Sequence, residues 1–432
     1  MVQDASKIIS EIDYLQFQFT NIKGELKAVE VPKKYAEKYL KDGLGIDGSS
    51  IGFLTTEQSD MRIIPDLATL HILPWDSRVA RVICDIVDNT GKPLQSDPRS
   101  ILKKAIAQAK DLGFSMEARP EIEWYIMTSE GEPADIGGYM DAPPFDEEIE
   151  LRRMITDYMM DFNIYPKMLH HEVGPGQHEI EFDMTEALLA ADMVQTVKQI
   201  IRMVCWNDGL VASFIPKPYS GQAGNGLHVH QMLFKGGNNE FSAADGTPSE
   251  TLKYFVGGLL KHASGLTAIF NPTVNSYKRL VPGHEAPVYI SWGIGNRTAL
   301  IRVPGYEKSA RIEYRGADTS ANIYLIIALL LASGLDGIRN KIEPGEGTVL
   351  NIDHLTEEKR KAMGIQKTPS NLKEALEALN ADKFLCNFLG PQFMEIYNKI
   401  KKKEWEEYTK NVRNHDTEEV TEWEFNQMFE RI

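Results

Sequence analysis

Cysteine is scarce. The 432 residues hold three, Cys84, Cys205 and Cys386, odd in number and far apart. That excludes a disulfide framework and the all-thiolate kind of zinc site, and it fits a reducing, cytoplasmic compartment. Positive charge is also short: 47 basic residues stand against 62 acidic ones, a formal net charge of −15. A chain of that sign repels both nucleic-acid phosphates and acidic membrane surfaces, so neither is expected as a partner. No apolar run reaches the roughly 18 residues of a membrane span. The longest, IYLIIALLLASG, reads as a buried helix. The N-terminal MVQDASKIISEID has no basic stretch followed by an apolar core, so no signal peptide is expected. The phosphate loop GxxxxGK[ST] is missing too, so any bound phosphate must be held by side chains and metal ions.

What remains is an ordinary globular composition, 42% hydrophobic and 25% charged, long enough for two or three domains. Residues 1–95 read as a small β-rich unit, with strand alternation in YLQFQFTNI, LKAVEVP and ARVICDIVD. The turn formers of DNTGKPLQSDPRS mark a junction, and 96–432 form the larger unit. There, helical periodicity in ILKKAIAQAKDLG, EALLAADMVQTVKQIIRMVCW, ETLKYFVGGLLKHASGL and ANIYLIIALLLASGLDGI is set against strand-like EIEWYIM, HEIEF, GLHVHQMLF, ALIRVP and RIEYR. Strands and helices are segregated more than alternated, so the fold class is α+β.

Residues two apart on a strand share a face. That aligns Glu121 with Glu123, Glu179 with Glu181, His228 with His230, and Arg311 with Glu313 and Arg315. In HHEVGPGQHEIEF the GPGQ stretch must turn, so Glu172 and Glu179 can meet from paired strands. Any one of these rows is equally well a solvated sheet face. Together they are harder to explain that way, because a solvated face favours Thr, Lys, Ser and Gln. Carboxylates with one or two imidazoles suit Mg²⁺ or Mn²⁺. Arginine is the second signal: Arg279, Arg297, Arg302, Arg311 and Arg315 fall within 37 residues of an acidic chain. Singly they read as structural ion pairs; as a group they are forks for phosphate or carboxylate. Metals plus arginine clamps are the parts that phosphoryl transfer needs. The third signal, GIDGSSIGF, is by itself plain turn chemistry.

Taken in order, DGSS (47–50), SDM (59–61), PEIE (120–123), GGY (137–139), HHEVGPGQHEI (170–180), GLHVH (226–230), NPTVNSYKRLVPGHEAP (271–287), NRTALIRVP (296–304) and RIEYR (311–315) resemble the glutamine synthetase family, class I, over nearly the whole chain. The resemblance implies a small N-terminal β-grasp domain and a larger catalytic domain with an antiparallel sheet and helices. It implies subunit rings, usually a dodecamer of two hexamers, with active sites between neighbours. It implies ATP phosphorylating the glutamate side chain and ammonia displacing the phosphate, with two or three Mg²⁺ or Mn²⁺ ions. Carried over by position, Glu123, Glu172 and Glu179 match ligands of one metal, and Glu121, His228 and Glu313 ligands of the second. Gly224, Arg279, Arg297 and Arg315 match the glutamate and phosphate contacts. His230, Arg297, Arg302 and Arg311 match ATP contacts. Glu285 matches a flap that closes over the intermediate. Asp47, Ser50 and Tyr139 match the ammonium pocket, with Asp47 reaching in from a neighbouring subunit. Glu181 and His178 match no ligand and are expected to be structural.

Four positions depart from the family pattern. Ala223 replaces an asparagine that touches the amino acid, Met232 a serine near ATP, and Lys167 a glutamate on the nucleotide side; the DGSSI loop is also one residue short before Phe53. The expected reaction is glutamate–ammonia ligation. The rivals are a γ-glutamyl–amine ligase with a changed acceptor, a weakly active regulatory paralogue, and, more remotely, a guanidino kinase. No adenylylated tyrosine segment is seen in NIDHLTEEK, and a small regulatory protein partner is left open.

Overall fold

The computed structural model describes residues 5–53, 59–243, 245–283, 286–304 and 309–429. Alternating apolar residues make the first sheet. In Tyr14–Thr20, Leu15, Phe17 and Phe19 are buried, as β-period 2 requires when one face meets a core. This six-stranded sheet runs Leu26–Pro32, Tyr14–Thr20, Asp76–Asp88, Asp60–Pro65, Leu44–Asp47, with His71–Leu73 on the long Asp76–Asp88 strand. One pairing, Tyr14–Gln18 on Val79–Ile83, is parallel. A helix over Lys33–Asp42 covers a stretch that the alternation alone does not announce.

The helix Pro98–Asp111 leads from the first sheet to the second. Asp97 caps it, accepting from the amides of Arg99 and Ser100, with Pro98 preset at the first helical position. The second sheet has ten strands. Its main path is Trp292–Ile294, Ile301–Val303, Ile312–Tyr314, Leu227–Lys235, Ser115–Met127, Gln177–Phe182, Pro166–His171, antiparallel except for the parallel pair 292–294 and 301–303. The architecture is thus a small β-grasp unit beside a larger catalytic unit of sheet and helices.

The core helices lie behind this sheet. Ile323–Asn340 is long and apolar enough to cross a membrane by composition, yet 83% of it is buried inside the protein. It crosses Glu250–Phe270 backbone to backbone. A Cβ at Gly337 would lie 2.0 Å from the Tyr254 carbonyl oxygen, and one at Gly258 2.1 Å from that of Ser333, so both positions must be glycine. Asn322 caps the buried helix at Tyr324 N (3.1 Å) and donates to the Asn21 carbonyl (3.0 Å), joining the catalytic unit to the N-terminal hairpin.

Candidate active site

Strand register brings the acidic residues together. Glu123 stands opposite Glu179, Glu179 opposite His170, His228 opposite Glu121, and His230 opposite Glu313, which is also opposite Arg302. Opposed like charges destabilise a sheet. At an effective dielectric of about 20, two charges 4 Å apart repel by about 4 kcal/mol. The carboxylates must therefore be compensated, and they divide into two groups by how.

On one side, cations are already present. Glu313 is held between Arg302 Nη1 (2.6 Å) and Arg315 Nη1. Burial alone would raise its pKa, but Arg315 and the two histidines outweigh that and bring it to about 2. Glu121 accepts from His230 Nε2 (2.6 Å) and lies 3.3 Å from His228 Nδ1. Burial opposes ionisation of Glu121, yet these two imidazoles hold its pKa well below the ordinary value. Arg311 Nε donates to His230 Nδ1 (3.2 Å), so the proton of His230 sits on Nε2 and faces Glu121. Burial, then Arg315, keeps His228 neutral, the form that binds metal.

On the other side, among the described residues, no arginine or lysine pairs directly with a carboxylate; Arg279 and Arg315 act on Glu123 only from a distance. Glu123 is pushed up to about 8 by burial and by Glu172, although Gly226 N donates to it at 2.6 Å. Burial and its four acidic neighbours push Glu179 up to about 10. Glu172 closes the group from the hairpin, with Oε1 3.0 Å from His170 Nε2 and Oε2 accepting from Val173 N (2.9 Å). Across both sides, three trios each have their ligand atoms within 4.8 Å of one another: Glu121, His230 and Glu313; Glu121, Glu179 and His228; His170, Glu172 and Glu179. This oxygen-rich donor set with a surplus of negative charge fits hard divalent cations. Cation binding must displace the protons that Glu123 and Glu179 hold at neutral pH. Titrating Mg²⁺ calorimetrically into chelator-treated protein in buffers of different ionisation enthalpy is expected to reveal release of about one to two protons at pH 7. Apparent affinity is expected to rise with pH up to about 10. No buffer dependence of the heat would refute the linkage.

The arginines share the same space. A cavity of about 520 Å³ is lined by Glu121, Glu123, Glu172, Glu179, His228 and Glu313 together with Tyr139, Gly224, Arg279, Arg297, Arg302 and Arg315. Arg279 is buried, and its Nη1 has no partner among the described residues. Arg297 lies beside the Tyr139 hydroxyl, whose ring meets His170 edge-on at 5.4 Å. His230 and Arg311 are not among the residues that line the cavity; His230 reaches it through its contact with Glu121, and Arg311, just before the strand Ile312–Tyr314, through His230. Asp47 and Ser50 lie elsewhere, on an exposed turn. There Ser49 and Ser50 donate to Asp47 and hold its pKa below the usual range. Glu285 falls outside the described residues.

The residues expected to be structural have structural partners. Glu181 pairs with Arg119 Nε (3.2 Å) and Lys167 Nζ (3.6 Å), and Lys167 lies at a bulge in its strand. His178 Nδ1 is 2.8 Å from Arg152 Nη1. His178 also clusters with Asp135 and His171, but this is not a cation site. Arg152 donates to Nδ1, so the neutral ring carries its proton on Nε2, and a metal would meet an N–H. The cluster instead fixes Glu172: His171 Nδ1 donates to the Glu172 carbonyl (2.7 Å) and its Nε2 to Asp135 (2.9 Å).

Two residues escape a sequence reading of roles. His170 joins Glu172 and Glu179; its spacing of two from Glu172 is the strand period, but the role of that pair shows only once Glu179 is brought opposite it. Gly226 is the closest backbone to the carboxylates. A Cβ there would lie 2.8 Å from Arg279 Nη2, 2.9 Å from His228 Nε2 and 3.1 Å from Glu123 Oε1. Gly226→Ala is expected to weaken Mg²⁺ binding about 10- to 100-fold with little loss of thermal stability; unchanged Mg²⁺ binding would contradict the packing argument.

Comparison with known proteins agrees with this geometry. Residues 11–89 match the family described as "Glutamine synthetase, beta-Grasp domain", and residues 95–426 "Glutamine synthetase, catalytic domain". The chain belongs to the glutamine synthetase family. Relatives named "Glutamine synthetase" include one from Thermotoga maritima, 44% identical over 96% of this chain and 98% of its own length. Another, from Pyrococcus horikoshii, is 46% identical over 97% and 96%. A third, from Methanosarcina mazei, is 42% identical over 94% of each. Among solved structures, one described as "Apo GmaS without ligand" superposes with a TM-score of 0.87 at 32% identity, covering 99% of both chains. One described as "GmaS/ADP complex-Conformation 1" reaches 0.88 at 31%, covering 99% of this chain and 100% of that one.

Proposed function

We propose that this protein is a class I glutamine synthetase, ligating ammonia to L-glutamate with ATP through γ-glutamyl phosphate to give glutamine, ADP and phosphate. The observation that carries the reading is one cavity in which a surplus of carboxylates faces a set of arginines. Separating the two charge sets would serve no structural purpose; meeting in one space, they can hold a cation-bound nucleotide against an anionic amino acid.

Glu123, Glu172 and Glu179 would hold one divalent cation and Glu121, His228 and Glu313 a second, with a third ion left to the nucleotide. When bound, Mg²⁺ or Mn²⁺ supplies charge neutralisation of the transferring phosphoryl group. The arginines do the orienting. Arg279 and Arg315, with the backbone around Gly224, would clamp the glutamate carboxylate, and Arg297 the γ-phosphoryl oxygens. Arg302 and Arg311, with His230, would face the nucleotide. Tyr139, Asp47 and Ser50 would bind ammonium. Asp47, held ionised by its serines, would take the proton that ammonium must lose before it attacks. In one subunit Asp47 stands apart from the cavity, which supports the ring assembly, a dodecamer of two hexamers, in which a neighbour supplies it. Glu285 would close over the intermediate. The division at residue 95 then separates the unit that donates Asp47 from the unit that binds metal. Cytoplasmic location and an optional small regulatory partner complete the reading.

Phosphate release from ATP tests it, with Mg²⁺, glutamate and either ammonium or a panel of small amines. Turnover saturating with ammonium is expected. Turnover with an amine alone would replace ammonia as the acceptor and point to Ala223 on the cavity wall. No turnover with either would leave a regulatory paralogue.

A further inference from the structure

A second cavity, of about 470 Å³, opens where the turn between Tyr14–Thr20 and Leu26–Pro32 meets the helix Ala187–Asn207 and the Thr319–Ser320 loop. Its charge is the reverse of the chain's. Lys23, Lys27, Lys198 and Arg202 line it against a single acid, Glu25, in a protein whose net charge is −15. That acid is already engaged, by Lys27 at 2.6 Å and Asn21 Nδ2 at 2.9 Å.

Lys198 and Arg202 are one helical turn apart and press on the same ring. Lys198 Nζ lies 4.8 Å and Arg202 Cζ 4.7 Å from the Phe214 centroid. Lys198 is 8% exposed and donates to the Thr319 carbonyl. Among the described residues neither cation forms an ion pair. Burial, then Arg202, lowers the Lys198 pKa to about 7, with Asp318 the one opposing acid; burial alone lowers that of Arg202 to about 10. One aromatic face cannot replace the hydration lost by two neighbouring cations. A bound anion would.

We propose that this cavity is a binding site for a small anion carrying two negative charges, a phosphate group or a dicarboxylate, and that it is coupled to the carboxylate cluster. The coupling path is short. Thr319, whose carbonyl Lys198 holds, donates its N–H to the Asn225 carbonyl (3.4 Å) and its hydroxyl to the Phe214 carbonyl (3.1 Å). The next residue, Gly226, donates to Glu123. An anion that draws the Lys198 ammonium into the cavity unloads the Thr319 carbonyl and shifts the strip that carries the Gly226 N–H. Anion binding here does not depend on which acceptor the main site uses, and it is read as binding, not turnover.

The test uses the full chain, with inorganic phosphate and succinate as probes and chloride at matched ionic strength as control, in thermal-shift and calorimetric titrations. One or both probes are expected to bind saturably with a midpoint of about 1 mM or below, and at least about tenfold more weakly in Arg202→Met. Arg202→Gln serves as the second variant if the first is unstable. Phosphate also suits the arginines of the main cavity, so the difference between wild type and variant is what counts. Identical binding in both, or no saturable response to either probe, overturns the site. The Mg²⁺ midpoint is expected to move with the bound anion in wild type and to stay fixed in the variant; a midpoint fixed in both overturns the coupling.

Discussion

Glu179→Gln is expected to abolish the response to Mg²⁺ and to cut glutamine formation by about 10²- to 10³-fold or more, while leaving the fold intact. Glutamine copies the shape and charge of a protonated glutamate. Glu179 is pushed up to about 10 by burial and by Glu121, Glu123, Glu172 and Glu181, so in chelator at neutral pH the substitution changes almost nothing. The thermal midpoint there is expected to stay level or rise slightly. With Mg²⁺ the two proteins part: wild type gains stability by mass action and the variant does not. The pH dependence carries the same signature. A carboxyl whose folded pKa lies above its unfolded value keeps more protons in the native state, so its contribution is full below about 4.5 and is lost as pH rises towards 10. Chelated wild type should therefore lose stability between pH 6 and pH 10, and Glu179→Gln should lose less. Thermal melts across pH with and without Mg²⁺, beside a glutamine assay, check all three points. A variant that still binds Mg²⁺ and turns over within a few-fold of wild type would remove Glu179 from the cation site.

The sequence made faces legible, but not partners. Alternation alone put Glu121 with Glu123, and Arg311 with Glu313 and Arg315, because strand period is local. Which strand lies beside which is set by packing between segments far apart in the chain, 107 residues for His228 and Glu121. The meetings of His228 with Glu121 and of His230 with Glu313 could not be read from spacing. The hairpin was easier, since GPGQ must turn and Glu172 is only seven residues from Glu179. Gly226 was illegible for another reason. Its need for no side chain comes from His228, two residues further along the same segment, and from Arg279 and Glu123, which arrive from two other segments. The expectation that Glu181 and His178 are structural has its physical basis in Arg119 and Arg152, which reach them from other elements and carry no local signal of that role. The buried reading of IYLIIALLLASG succeeded because a run of that length, broken by glycine and followed by charge, suits a core helix better than a membrane.

Arg99→Met is expected to destabilise the protein by about 3–5 kcal/mol, the largest stability loss of any single change considered. Arg99 is 3% exposed and binds three carboxylates from separate segments: Asp66 at 2.7 Å, Asp85 at 2.6 Å and Asp192 at 2.8 Å. Asp85 belongs to the first sheet and Asp66 follows directly on another of its strands; Asp192 lies on the long helix that packs against the second sheet and also accepts from Tyr324 (2.7 Å). One guanidinium therefore ties the two units together. Methionine fills the volume but leaves three acids facing one another, and Asp192, 5% exposed, has no water to replace the lost partner. Arg99→Lys should fall between, since a single ammonium cannot span three carboxylates in a fork. The sign of the pH effect separates lost charge pairing from lost packing. Burial would raise the pKa of Asp66, but Arg99 outweighs it and holds it below the usual value. That contribution is present above the unfolded pKa and fades as pH falls through the folded one. The gap between wild type and Arg99→Met should then narrow below about pH 4 and stay wide at pH 7. Denaturant melts at the two pH values measure it; an equal gap at both would assign the loss to packing alone.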